Sequence, residues 1–325
     1  MPQQEAALSA QPQTIAGIVI YHPDEANLLR LVGALAPDVR EIVIYANSAV
    51  SSQEEDRLRA AAQGTDLSVI RPGGNLGLGV AYNALLDHTH RQGGAFLFLL
   101  DQDSLPSAGT IPRLATIHGR LCAAGERPAI VGPRPTDWSG KPLRAPPGEA
   151  SDRDEAHVTR VQFVISSGSL VDCEAARMIG PFRADFFIDA IDIEWCMRAN
   201  YRGYSIWMAD DVLMAHELGR GLIRLLFGLF PTDQPPRRLY TFLRNQLAML
   251  RMGHVPLAHK AKTLLALPLR IAVYLAHNRF SRDIRSALWH GVIDGARAKL
   301  GPPETALKGL ERRRRHEAEA VERSE

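Results

Sequence analysis

Residues 95–104 read AFLFLLDQDS, an unbroken apolar run that ends in two carboxylates, Asp101 and Asp103. A run this short and this apolar predicts a β-strand that is buried on both faces. Open α/β sheets bind ligands just beyond the carboxyl ends of their strands. Residues two apart in a strand point to the same side, so both carboxylates can face one ligand, such as a divalent cation carrying phosphate oxygens. A capped turn at the strand end is the simpler alternative.

The sequence around this run alternates strands with helices. IAGIVIYHP and EIVIYANSA are apolar runs separated by EANLLRLVGAL at helical spacing, which indicates a strand, helix, strand unit. The alternation predicts an α/β fold with a mostly parallel central sheet. Residues 134–157 are rich in Pro, Gly and charge and predict a long surface excursion. Further strands are expected in LSVIRPG, AIVGPRP, VQFVISSGSLV and YSIWMADDVLMAHELG, and helices at about 79–90, at 110–124, after a capping Asp172 and in DIEWCMRANYRGY.

Charge is distributed unevenly along the chain. Residues 220–325 hold 20 of the 38 Lys and Arg side chains but only 9 of the 36 Asp and Glu side chains. This basic region reads as helical, and in LIRLLFGLF and LLALPLRIAVYLAHNRF arginines alternate with apolar residues as in helices that lie at a membrane interface. The alternative is a helical subdomain that packs on the body of the protein or mediates homo-oligomerisation.

Composition excludes several classes of protein. With 46% hydrophobic residues the chain is neither disordered nor fibrous. The cysteines Cys122, Cys173 and Cys196 form no C-x-x-C pair, which argues against a disulfide framework or a zinc site and favours a reducing cytosol. Residues 1–13 are expected to be a disordered lead-in, not a signal peptide. No apolar run reaches the roughly 18 residues of a membrane span, so the expected location is cytoplasmic, with or without attachment to the inner face of the membrane.

A second acidic cluster lies in RADFFIDAIDIEWCMR, which contains Asp185, Asp189, Asp192 and Glu194. Its phenylalanines and tryptophan are unlike a solvated charge run. Asp189 and Asp192 share one face if the segment is helical. A carboxylate at a helix start is either a cap or a general base that accepts a proton from a substrate hydroxyl.

Two further features are weaker signals. RPGGNLGLGVAYNALL lacks both the G-x-G-x-x-G order and the P-loop lysine, so it predicts a loop that opens a helix, with Asn75 and Asn83 suited to a nucleoside. His216 follows a strand in MAHELG and could reach the sheet edge of Asp103. A structural role is the alternative for each of them.

Taken in order, these segments resemble the family 2 glycosyltransferases of the GT-A fold, in particular the rhamnosyltransferase branch that builds bacterial surface polysaccharides such as O-antigen. The matching pieces are IVIYHP, NLGLGVAYN, LLDQDSLP, VISSGSLV, FFIDAIDIEWCMRANYRGY, AHELG, RRLYTFLRNQ and WHGVIDGARAKLG. The resemblance implies a GT-A domain over residues 14–220, with a nucleotide-binding half to about residue 105 and an acceptor half from 106. A basic helical region would follow over 221–325.

The resemblance also implies chemistry. The donor would be a nucleotide-diphosphate sugar, dTDP-L-rhamnose above all, and transfer would invert the anomeric carbon. The acceptor would be a saccharide or lipid-linked saccharide, and nucleic acid is not an expected partner. Mg²⁺ or Mn²⁺ would be held by Asp103, with Asp101 towards the ribose and His216 near the metal or diphosphate, and Asp192 would be the base. The other implied contacts are Tyr21, His22, Asn47, Asn75, Gly77, Asn83 and Gln102 for the donor, and Gly168, Glu194 and Trp195 on the acceptor side.

The sequence departs from the family pattern at two places. Ile191 precedes Asp192 where many members have an acidic pair, although Asp189 could supply the missing charge. The second strand ends in Ala46 and Asn47 where Asp-Asn is usual, so recognition of the nucleobase needs other groups. A nucleotidyltransferase is the alternative enzyme, but YHPDEANLL lacks the expected glycine-rich loop with Arg or Lys. A non-catalytic scaffold subunit is the alternative suggested by Ala46.

Overall fold

The computed structural model describes residues 14–136, 141–142, 148–150, 157–215, 223 and 233–303. Its strands are β1 (Thr14–Ile20), β2 (Glu41–Ala46), β3 (Asp66–Ile70), β4 (Phe96–Asp101), β5 (Pro128–Thr136), β6 (Gly148–Ala150), β7 (Val158–Val161), β8 (Ser169–Asp172) and β9 (Ser205–Ala215). Its helices are α1 (Glu25–Leu35), α2 (Ser52–Ala61), α3 (Leu78–Arg91), α4 (Thr110–Ala123), α5 (Cys173–Ile179), α6 (Ile191–Tyr201), α7 (Pro236–Met249), α8 (Leu257–His277) and α9 (Arg282–Ala296).

The described strands form one sheet in the order β3-β2-β1-β4-β8-β5-β9-β7-β6. Strands β1 to β4 are parallel, as are β5 and β9, and β8 runs antiparallel between β4 and β5. Every residue of β1 and β2 is buried, as expected for strands covered by helices on both faces. The predicted α/β fold with a mostly parallel sheet and a helical C-terminal region is confirmed.

The local signals explain most elements. The Asp24 side chain caps α1 by accepting from the Asn27 N–H, and Asp172 caps α5 as the sequence predicts. Helix α2 lies in a part of the chain for which no helix was predicted, because Leu58 is its only buried residue and apolar periodicity is therefore weak. Its available signal was the capping box of Ser51 and Glu54.

Two predicted strand segments differ in detail. VQFVISSGSLV is divided into β7 and β8 by an irregular segment at 162–168. SIWMADDVLMA is one strand of 11 residues with a bulge, since Pro133 pairs with Ala209 but the next residue of β5 pairs with Leu213. In the bulge, the Asp210 carboxylate accepts from Arg134 at 2.8 Å and from Thr159 at 2.6 Å.

The chain divides into two compact units. Of the described residues, the first holds 14–182 and 192–215, including the sheet, and the second holds 183–191, 223 and 233–303. The chain therefore leaves the first unit after Phe182, contributes a nine-residue loop to the unit of α7, α8 and α9, and returns at Asp192. Among the described helices, none is both long enough and apolar enough to cross a membrane.

Helices α7 and α9 of the second unit touch through their backbones. A Cβ added to Gly291 would lie 2.9 Å from the Tyr240 carbonyl oxygen, and one added to Gly295 would lie 2.8 Å from that of Arg244. The Tyr240 hydroxyl donates to Asp294 at 2.8 Å, and burial together with this carboxylate raises the pKa of Tyr240 to about 12. Glycine is therefore required at both contact points on α9.

We expect Gly295→Ala to lower the free energy of unfolding by about 1–3 kcal/mol, because the added methyl group overpacks the α7–α9 contact. Gly119→Ala is the matched control, since this exposed glycine of α4 has nothing within 4 Å of an added Cβ. The control should be neutral or stabilising by up to about 1 kcal/mol, the helix preference of Ala over Gly. Denaturant unfolding measures both, and equal effects would contradict the close contact.

Candidate active site

The carboxyl ends of three strands meet at one edge of the sheet, because β1, β2 and β4 are parallel neighbours. Tyr21 and His22 follow β1, Asn47 follows β2, and β4 ends at Asp101 with Asp103 two residues on. The structure therefore brings together most of the residues that the sequence predicts for nucleotide and metal.

Two further strands reach the same edge. Strand β8 is antiparallel to β4, so Gly168, which precedes it, lies beside the end of β4 and donates its N–H to the Leu99 carbonyl at 2.7 Å. Strand β9 is parallel to β5 and therefore ends at this edge with Ala215. His216, the predicted metal ligand, follows Ala215 in sequence and lies outside the described residues.

Hydrogen bonds tie the strand ends together. The Gln102 side chain accepts from the Tyr21 N–H at 2.7 Å and donates to the Tyr21 carbonyl at 3.3 Å, which joins the end of β4 to that of β1. The His22 N–H donates to the Ser48 hydroxyl at 2.9 Å, which joins β1 to β2. The Gln102 amide is thus engaged with main chain of the protein itself.

The glycine-rich loop is ordered in the same way. The Asn47 side-chain oxygen accepts from the Leu76 N–H at 3.1 Å, and Asn47 is buried. The Asn75 side-chain oxygen accepts from the N–H of Gly77, which has φ +88° and precedes α3. These predicted donor-binding side chains therefore shape the loop in front of the sheet edge.

The two carboxylates of the D-x-D segment lie on a turn that buried serine hydroxyls hold in place. The Asp101 N–H donates to the Ser167 hydroxyl at 2.9 Å, and this hydroxyl also bonds the Ser104 hydroxyl at 2.7 Å. Ser104 and Ser167 are buried, whereas Asp101 is half-buried and Asp103 is exposed. The serines fix the turn so that the carboxylates remain at the surface of the sheet edge.

A buried phenol, that of Tyr82, lies behind the segment that supports this turn. The Tyr82 hydroxyl bonds Ser166 at 2.8 Å. Burial, together with the negative charges of Asp101 and Asp192, raises the pKa of Tyr82 well above its usual value. Tyr82 therefore stays neutral and keeps its hydrogen bond with Ser166.

Asp192 occupies the first turn of α6. Its side chain accepts from the N–H of Ile193 at 2.8 Å, and it is half-buried. The carboxylate thus lies at the N-terminus of a helix, where the backbone N–H groups attract negative charge.

The neighbours of Asp192 are interior residues, which corrects their expected place on the acceptor side. Glu194 is fully buried and accepts two hydrogen bonds of 3.0 Å from Arg198. Trp195 is also fully buried, donates to the Gly180 carbonyl and stacks on Phe182. Neither side chain is available to an acceptor, and both anchor α6.

Asn83 binds Phe182, the residue on which Trp195 stacks. Its amide donates to the Phe182 carbonyl at 2.9 Å and accepts from the Phe182 N–H at 2.7 Å. Both polar atoms thus bind main chain where the chain leaves the first unit, away from the nucleoside role that the sequence suggests. Asn83 and Trp195 together fix Phe182, the residue before the 183–191 loop.

Asp189 lies in the second unit and is tied to α7. Its two carboxylate oxygens accept from Arg238 at 2.8 Å and from the Thr241 hydroxyl at 2.6 Å, and only 7% of its side chain is exposed. A carboxylate held in this way positions the loop and does not serve as a free base.

The loop backbone around Asp189 is strained. Phe187, Asp189 and Ala190 all have positive φ, between 62° and 69°, although none is glycine. The buried Asn245 amide donates to the carbonyls of Phe186, Ile188 and Asp189 at 2.8–3.1 Å, and Arg244 donates to Phe186 at 2.8 Å. Helix α7 therefore holds the loop in a conformation that it would not adopt alone.

Sequence reasoning assigned no role to these α7 residues or to Tyr82, Ser166 and Ser167. A signal was present in α7, because Arg238, Thr241 and Asn245 follow at i, i+3 and i+7 and so form a polar stripe on one helix face. Buried polar side chains need partners inside the protein. Tyr82 lies in NLGLGVAYN and the serines lie in VISSGSLV, two of the segments that carry the family resemblance, but neither segment indicated a role for these side chains.

The carboxylate oxygens of Asp101 and Asp103 are suited to a hard divalent cation that also binds oxygen atoms of a ligand. Among the residues that the structure describes, no group of three or more His, Cys, Asp or Glu side chains is arranged to hold a metal by itself. Asp101 and Asp103 offer carboxylate oxygens at the sheet edge, and Mg²⁺ in proteins is often held by one or two carboxylates plus substrate phosphates.

The fold defines the class of protein. The chain is similar to the crystal structure of the mannosyltransferase PcManGT of Pyrobaculum calidifontis with GDP-Man and Mn²⁺, at a TM-score of 0.53, 14% identity and 88% coverage of each chain. It is also similar to the crystal structure of GalNAc-T7 with UDP, GalNAc and Mn²⁺, at a TM-score of 0.53 and 12% identity. This match covers 88% of this chain and 57% of the GalNAc-T7 chain. The chain has the GT-A glycosyltransferase fold.

A sequence relative is more specific. The dTDP-rhamnosyl transferase RfbF of Shigella flexneri is 28% identical over 250 residues, which is 74% of this chain and 81% of the relative. No protein-family model matches the chain. The resemblance to rhamnosyltransferases of the GT-A fold, identified from the motifs, is confirmed.

We expect Asn245→Ala to lower the free energy of unfolding by at least about 2 kcal/mol, because an unsatisfied buried acceptor costs about 1–3 kcal/mol and the carbonyls of Ile188 and Asp189 lose their amide donor, whereas the Phe186 carbonyl keeps Arg244. Proteolysis within 183–191 should become faster. Asn278→Ala is the control, since half-buried Asn278 donates to a single carbonyl, that of Tyr274. Similar effects of both changes would show that the loop holds its conformation without α7.

Proposed function

We propose that the chain is an inverting glycosyltransferase that moves L-rhamnose from dTDP-L-rhamnose to a saccharide or lipid-linked saccharide in bacterial surface polysaccharide synthesis. The observation that carries the proposal is the sheet edge where β4 ends with Asp101, and Asp103 just beyond it, beside the carboxyl ends of the parallel strands β1 and β2. In the same unit of the chain, Asp192 offers a further carboxylate in the first turn of α6. Similarity to the dTDP-rhamnosyl transferase of Shigella flexneri supports the donor sugar.

The donor binds at the carboxyl edge of the sheet. Asp101 would lie towards the ribose, and Asp103, with His216, would hold Mg²⁺ or Mn²⁺ for the diphosphate. A divalent ion there supplies positive charge that stabilises the leaving diphosphate. The nucleobase lies over the ends of β1 and β2. There Tyr21 and main-chain groups near Asn47 take the place of the aspartate that is usual at the position of Ala46.

Asp192 is the general base. The acceptor hydroxyl gives its proton to this carboxylate while its oxygen forms a bond to the anomeric carbon. The bond from that carbon to the diphosphate oxygen breaks on the opposite face, the nucleoside diphosphate leaves with the electron pair, and the centre inverts. Asp189 acts as a positioning residue, because Arg238 and Thr241 already occupy its carboxylate.

Asp103→Asn should reduce donor hydrolysis and transfer by at least about 100-fold, because charge stabilisation by a bound metal is worth several kcal/mol. Asp66→Asn is the control, an exposed carboxylate at the start of β3, on the opposite edge of the sheet. Activity with dTDP-L-rhamnose and calorimetric binding of dTDP are measured with Mg²⁺, with Mn²⁺ and with chelator. Full activity of Asp103→Asn in chelator would contradict the metal assignment, and wild-type protein without donor hydrolysis would favour a scaffold.

Asp192→Asn should lose transfer by about 10²- to 10⁴-fold, the usual contribution of a general base, and keep donor binding. Asp189→Asn should have a smaller effect on transfer and a larger one on thermal stability, because it removes the charge of a buried carboxylate that pairs with the partly exposed Arg238. Transfer rates, dTDP affinity and melting temperature are compared for both variants. The reverse order, with Asp192→Asn near wild type and Asp189→Asn inactive but folded, would move the base to Asp189.

A further inference from the structure

One side of α8 is exposed and apolar along most of the helix. Leu257 and Leu265 are each 81% exposed, Leu264 is 56% exposed and Leu269 is 50% exposed. The exposed residues Ala261, Leu265, Leu269, Ala272 and Ala276 follow at steps of three or four, which places them on one helix face. We call these five residues and Leu264 the α8 face. A soluble surface rarely carries such a continuous apolar patch without a partner.

Basic side chains outnumber acidic ones around α8, where Asp233 lies 3.8 Å from His277 at the end of the helix. From residue 257 to 277 there is no Asp or Glu, whereas Lys260, Lys262 and Arg270 are present. Just past the helix, Arg279 and Arg282 are exposed on either side of Phe280, which is 59% exposed. Arg270 lies over the Phe242 ring of α7, 5.4 Å from its centre. Lys262, three residues before Leu265, lies at the border of the α8 face and can reach past it to anionic groups.

We propose that the α8 face lies in the headgroup region of an anionic lipid bilayer, with the helix axis parallel to the membrane. Amphipathic helices with basic borders bind in this way, by burying apolar side chains and by attracting anionic lipids. A second copy of the chain is a poorer partner for this face, because pairing two identical α8 faces brings like charges together.

The proposal rests on α8 and its flanks and is independent of the catalytic assignment. It also suits the proposed lipid-linked acceptor, since an enzyme held at the bilayer surface meets such an acceptor in two dimensions. A failure of membrane binding would leave donor hydrolysis in solution intact, so the two proposals can be separated.

The test is sedimentation of the full chain with vesicles. Vesicles of phosphatidylglycerol and phosphatidylcholine in equal parts should bind the protein, vesicles of phosphatidylcholine alone should bind it less, and added salt should weaken binding. Leu265→Glu should reduce the partition coefficient by at least about tenfold, the scale of burying one leucine side chain. Lys262→Gln should reduce binding to the anionic vesicles by about fivefold, the worth of one basic residue at such a surface.

The control is Met178→Glu, which changes a 50% exposed apolar residue on helix α5 of the first unit and should leave binding unchanged. Leu265 and Met178 are both at the surface, so circular dichroism should show folded variants. Absence of binding at low salt, or full binding of Leu265→Glu, would overturn the proposal. A wild-type dimer that forms without vesicles and is lost in Leu265→Glu would also overturn it, in favour of an interface between copies.

Discussion

Burial of the central strands on both faces is the constraint that the rest of the first unit depends on. Strands β1 and β2 are buried at every residue, and Leu97 to Leu100 of β4 are at most 1% exposed. Polar chemistry cannot be placed inside such a sheet without large desolvation costs. It is therefore confined to the strand ends, and parallel pairing puts the ends of β1, β2 and β4 side by side.

At this edge, most of the polar side chains serve to hold the protein itself. Gln102, Asn47 and Asn75 each bond main-chain groups of neighbouring segments. Ser167 supports the turn of Asp101. These bonds fix loops that would otherwise lose conformational freedom when a ligand binds, so part of the cost of ordering the site is met during folding. Asp103 and Asp192 are the acidic groups to which the proposed function assigns the chemistry.

The loop at 183–191 follows a different principle. It buries Asp189 and adopts three positive φ values because α7 supplies Arg238, Thr241, Arg244 and Asn245 as partners. Backbone strain of this kind persists only where surrounding groups over-determine it. In the first unit, Asn83 and Trp195 bind the chain at 180–182, where this loop begins. The start of α6, and hence Asp192, follows the loop directly in the chain.

The sequence by itself determined the α/β fold, the buried strand that ends in Asp101 and Asp103, the cap at Asp172 and the helical character of the basic region. These follow from local apolar periodicity and from residues within a few positions of one another. The roles of Asn83, Asp189, Glu194 and Trp195 were decided only by the tertiary structure. Asn83 and Asp189 bond residues 99 and about 50 positions away, and a polar side chain looks the same in sequence whether it binds a ligand or its own chain. The sequence showed which groups could do chemistry, and long-range packing decided which of them were already occupied, because a buried polar group must find its partner inside the protein.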